Sequence, residues 1–120
     1  MSRRISFTKL ENELVRSFRE KINTAATAED IAAAFSQTVG KLLSGALGEA
    51  TPQARDAIAF APKAKDFYRL DEALASNASF VQIMHDSDLP HILSRFAETA
   101  NRRRQRILEH RERTEAKIRN

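Results

Sequence analysis

From Leu89 to about Arg119 nothing in the sequence interrupts a helix, and that length constrains the fold more than any other feature. Asp86-Ser87-Asp88 supplies cap-type residues, and Pro90 sits early enough for a helix to tolerate it. Leu89, Leu93, Phe96, Ala100 and Ile107 then recur at spacings of four, three, four and seven, flanked by Ile92 and Ala97. At 1.5 Å per residue this helix is roughly 45 Å long. A compact chain of this size has a radius of gyration of about 14 Å and a diameter of roughly 35 Å. The far end must therefore project from the body, fray, or lie against another molecule.

Composition agrees with a helical body. Ala is abundant, Leu, Glu, Arg and Lys are common, and the chain of 120 residues holds only three Gly and three Pro. The length suits one domain spanning 1–120. There is no cysteine, which excludes disulfides, thiol nucleophiles and cysteine metal sites. Met1-Ser2-Arg3-Arg4-Ile5-Ser6 has no apolar stretch behind its arginines, and no apolar run reaches the roughly 20 residues of a membrane span. The expected setting is the cytoplasm, without membrane or cofactor.

Thr8 and Glu11 form a Thr-x-x-Glu capping signature ahead of Leu10, Leu14, Phe18 and Ile22, with Val15 alongside. Thr27 and Asp30 repeat the signature before Ile31, Phe35, Val39, Leu42, Leu43 and Leu47, with Gly48 placed as a terminator. Thr51-Pro52 predicts a short third helix ending near Ala61-Pro62. Phe60–Leu70 reads as an aromatic-rich connector over the core, with room to cover a pocket, and Asp71–Ala75 as one helical turn. Asn77 caps a helix carrying Phe80, Ile83 and Met84; a strand over 80–84 would lack a partner. The expectation is an all-α compact bundle of about five helices with a long C-terminal helix. Its core should come from the first two helices and the proximal half of the last.

Residues 27–38 resemble the opening of a helix-turn-helix DNA reader, with Ala32 at the small-residue position. However, Ser36 stands where a turn glycine is usual. The helical period also runs on through Phe35, Val39, Leu42 and Leu43, which predicts one continuous helix.

Charge is unevenly placed. Residues 1–100 hold 12 basic and 13 acidic residues, whereas 101–120 hold 8 and 3, a net +5. The segment 101–120 is thus the protruding basic end. At 100° per residue, Arg95, Arg102, Arg106, Arg113 and Lys117 share a stripe about 60° wide, with His110 beside it. Such a stripe could follow a phosphate backbone. It equally suits a solvated face held by Glu98–Arg102, Glu109–Arg113 and Glu115–Arg119 pairs. The apolar seam lies roughly 120° away and thins to Arg104, Ile107, Leu108, Arg111, Thr114 and Ile118. Aliphatics beyond the body point to a partner helix, in a homo-oligomer or with another helical protein. Ile107, Leu108, Arg111 and Ile118 are the residues expected to bind it.

His85, Asp86, Asp88 and His91 meet at one helix junction, and His85 and His91 are the candidate metal ligands. The two carboxylates already serve as caps in this reading. No glycine-rich phosphate loop, nucleophile elbow or His-Glu-x-x-His helix occurs. The sequence therefore favours a non-enzymatic interaction protein, with nucleic-acid binding as the alternative.

Overall fold

A computed structural model describes residues 6–47 and 57–118, with side chains as far as residue 110. Among the described residues there are five helices and one two-stranded sheet: α1 (Thr8–Thr24), α2 (Ala28–Leu47), β1 (Ile58–Phe60), β2 (Tyr68–Leu70), α3 (Glu72–Ala75), α4 (Ala78–Asp86) and α5 (Leu89–Ile118). The protein is an all-α bundle with a small hairpin added. No helix among the described residues is long and apolar enough to cross a membrane.

Local capping chemistry sets three of the starts. At α2 the Thr27 hydroxyl accepts from Asp30 N–H at 3.1 Å, and the Asp30 carboxylate accepts from Thr27 N–H at 3.3 Å. Asp71 and Asn77 accept from the amides of Leu74 and Phe80 at the starts of α3 and α4. Each bond satisfies an amide that the helix leaves unpaired.

The expected Thr8–Glu11 box does not form. Phe7 occupies the cap position of α1 without a side-chain cap, and Thr8 is the first helical residue. Its hydroxyl donates instead to Asp88 at 3.1 Å. Ser6 Oγ and Phe7 N–H donate to the same carboxylate at 3.0 and 2.8 Å. Asp88 thus caps α1 from across the fold, and Ser87 Oγ accepts from Leu89 N–H at the start of α5.

α2 is the central element, packed against α1, α5 and β1. It runs unbroken through Ser36, as the period requires, and Ser36 Oγ donates to the Ile58 carbonyl at 3.3 Å. Phe35, Val39, Leu42 and Leu43 are fully buried with Phe18 and Ile22 of α1 and with Leu89, Ile92, Leu93, Phe96, Ala97 and Ala100 of α5. Phe18 and Phe96 meet edge to face, with centroids 4.9 Å apart.

Residues 58–60 are extended rather than the end of a third helix, whose proposed start at Thr51-Pro52 lies, with Gly48, outside the described residues. β1 pairs antiparallel with β2 in the register Ile58↔Leu70, Ala59↔Arg69 and Phe60↔Tyr68. Two successive tight turns, closed by Ala64 N–H on Ala61 O and Phe67 N–H on Ala64 O, reverse the chain. Pro62 suits the first turn, and Phe67 takes the left-handed conformation at φ 65°. The hairpin survives because it lies on the core: Ile58 is buried, and the rings of Phe35 and Phe60 are 5.9 Å apart.

Candidate functional site

α5 determines the outline of the molecule. The particle measures 65 × 28 × 24 Å with a radius of gyration of 16.1 Å, above the value of about 14 Å for a compact chain. The proximal half of α5 is buried between α1 and α2, and the distal half leaves the body.

The edge of the body lies further along than the sequence suggests. Ile107 was expected beyond it, yet it packs, partly buried, against the core. The reason is Arg103. The seam runs Leu93, Phe96, Ala100, Arg103, Ile107 at alternating spacings of three and four, so Arg103 fills the apparent gap. Its Nη2 donates to the Ala25 carbonyl at 3.0 Å, where α1 ends, while its Nε is buried without an acceptor among the described residues. A cation suits that helix C-terminus, and Arg103 lines one recess with Ala25 and Ile107. Arg104, the seam residue expected from the sequence, is also partly buried. Leu108 is exposed, as is Val81 on α4. The side chains of Arg111 and Ile118 lie outside the described residues.

The basic stripe divides. Arg95 Nε and Nη2 donate to the two carboxylate oxygens of Glu11 at 2.7 and 2.8 Å, a bidentate clamp between α5 and α1. The hydrogen bond to Glu11 is the main reason the Arg95 pKa is raised above its ordinary value. Glu11 is only 12% exposed but Arg95 is 54% exposed, so solvent screening limits the pair to about 1 kcal/mol. Arg95 is thereby committed within the fold. Arg102 and Arg106 are exposed, and no ion pair holds either among the described residues; the expected Glu98–Arg102 pair does not form. Arg113 and Lys117 lie outside the described side chains.

The junction histidines do not gather a metal site. His85 Nδ1 is 2.8 Å from Asp86 Oδ1, and Gln82 binds the other oxygen of the same carboxylate. These two hydrogen bonds, His85 first, hold the Asp86 carboxyl below its usual range. Asp88 faces the N-terminal segment, and His91 is exposed. Among the described residues no three ligating side chains converge. The hairpin carries a shallow pocket of about 270 Å³ lined by Phe60, Pro62, Lys63 and Arg69.

Local spacing revealed the stripe and most of the seam. Arg103 could have been found by continuing the three-four alternation past Ala100. The Glu11–Arg95 and Asp88 contacts join residues more than 80 positions apart and leave no local signal. No protein-family model, no curated protein and no solved structure matches this chain.

Proposed function

We propose that the protein is a small non-enzymatic interaction module that self-associates through the distal half of α5, helix against helix with a second copy. The observation that carries this reading is that α5 continues to Ile118 although Ile107 is the furthest of its described side chains packed on the core. The remaining 11 residues, Leu108–Ile118, extend about 16 Å further. Isolated helices of that length are marginal in water, so a partner surface supplies what the body does not.

Sequence position favours an antiparallel arrangement. Placing Ile107 level with the partner's Ile118 also sets Glu112 level with the partner's Arg113. A parallel pair would stack Arg111 on the partner's Arg111 and align every like charge. A cytoplasmic setting goes with this reading.

Because Ile107 belongs to the body, the informative truncation ends at His110. Removing 111–120 is expected to leave the melting temperature within a few degrees, since no described core contact is lost. Sedimentation velocity should then show a dimer for the full chain and a monomer for the shortened one. Identical profiles for the two would reject the reading.

Arg102 and Arg106 support a second reading, binding to duplex nucleic acid, with Arg113 and Lys117 continuing the stripe by register. With Arg95 committed to Glu11, four cations remain, and log affinity should fall against log salt with a slope of about −3.6. Absence of binding to any duplex at low salt would remove this reading.

A further inference from the structure

We propose that the recess where the α1–α2 turn meets α5 is a phosphate-binding site that takes a phosphomonoester. The recess holds about 460 Å³ and is lined by Ala25, Ala26, Arg103, Arg106, Ile107 and His110. That volume lies within the range of small-ligand pockets. Three of its six lining residues are cation-forming, and they sit at 103, 106 and 110 on one face of α5. The other three are apolar and form a floor.

Arg103 is the fixed element. Its Nη2 bond to the Ala25 carbonyl holds the guanidinium in place, so an incoming oxyanion meets a donor group that need not be ordered first. Its buried Nε has no acceptor among the described residues, so this guanidinium keeps donor capacity that its bond to Ala25 does not use. Arg106 supplies a second, exposed guanidinium. The nearby carboxylate of Asp30 is engaged by the amides of Ala26 and Thr27 and does not line the recess. Two guanidinium charges match the dianion of a phosphomonoester better than a single carboxylate, and planar arginine forks suit phosphate oxygens. The apolar floor accommodates the organic group that the ester carries.

The site shares Ile107 with the antiparallel register proposed for the distal helix but places its cations at Arg103 and Arg106, so a phosphate titration reads this site and sedimentation reads the self-association. The test is an NMR titration of the full chain with phenyl phosphate at constant ionic strength. The amides of Ala25, Ala26 and Ile107 and the Arg103 Nε–Hε resonance should shift together and saturate. Arg106→Gln alters an exposed side chain and keeps the fold, and it should weaken binding about tenfold, the loss of one charge-assisted contact. Absence of saturable shifts, or the same affinity in Arg106→Gln, overturns the proposal. A short DNA duplex added as competitor identifies the source of the phosphate. Retention of phenyl phosphate supports a site for a phosphomonoester, whereas its displacement by the duplex, whose backbone offers only phosphodiesters, overturns that assignment.

Discussion

Phe96→Ala should lower the melting temperature by about 12–20 °C, the largest stability loss expected from any single change in α5. Phe96 is 2% exposed and meets Phe18 edge to face at the joint between α5 and α1. Truncation removes the buried ring, leaves a cavity between two helices that other contacts keep from collapsing, and loses the ring–ring contact. Together these cost about 3–5 kcal/mol, a large share of the 5–15 kcal/mol typical of a domain. Val81→Ala is the control, because Val81 is 51% exposed and should change stability by no more than about 0.5 kcal/mol. Thermal unfolding followed by circular dichroism separates the two. A shift below about 3 °C for Phe96→Ala would mean that this joint is not part of the core. The consequence reaches the proposed self-association, since the projecting helix is held in place by its proximal half.

Asp88→Ala should destabilise the fold by about 1–2 kcal/mol at neutral pH, the lower end reflecting solvent screening at this partly exposed site. The variant frees Phe7 N–H and the hydroxyls of Ser6 and Thr8, which the carboxylate otherwise gathers at the start of α1. The effect also carries a pH signature. Burial opposes the charged form, but the Phe7 amide and the two hydroxyls outweigh it, and the Asp88 carboxyl lies below its ordinary value. A depressed carboxyl contributes stability that is complete above the unfolded value of about 3.9 and is lost as pH falls through the folded one. Unfolding free energies of parent and variant should therefore differ at pH 7 and converge in acid. A difference that persists unchanged below pH ~3 would show that the contact is not ionic.

The helices, their order and most of the core follow from local chemistry. Thr27 with Asp30, and likewise Asn77, cap as their spacing indicates, because a cap joins groups three residues apart. The same logic fails at Thr8 and Glu11. Asp88 and Arg95, both distant in sequence, compete for those groups and win them. The hairpin at 58–70 was illegible for a related reason. Three-residue strands carry little period, and these two form only because Ile58 and Phe60 find α2 beneath them. Of the candidate surface, the exposed Arg102, Arg106 and Leu108 could be placed from helical angle alone. Ile107 could not, because the core it packs against is assembled from elements distant in sequence.

The salt dependence of self-association tests the central claim most directly. The net +5 of residues 101–120 sits mostly at 102–106, whereas the projecting Leu108–Ile118 holds three basic and three acidic residues, so its pairing rests on the aliphatic seam rather than on charge. Sedimentation equilibrium of the full chain at about 50 mM and about 500 mM salt, where the Debye length is roughly 14 and 4 Å, spans the range of screening. A dimer that persists at both salt concentrations is the predicted result; a chain that stays monomeric at every concentration and salt, or a dimer that dissociates at the higher salt, contradicts it.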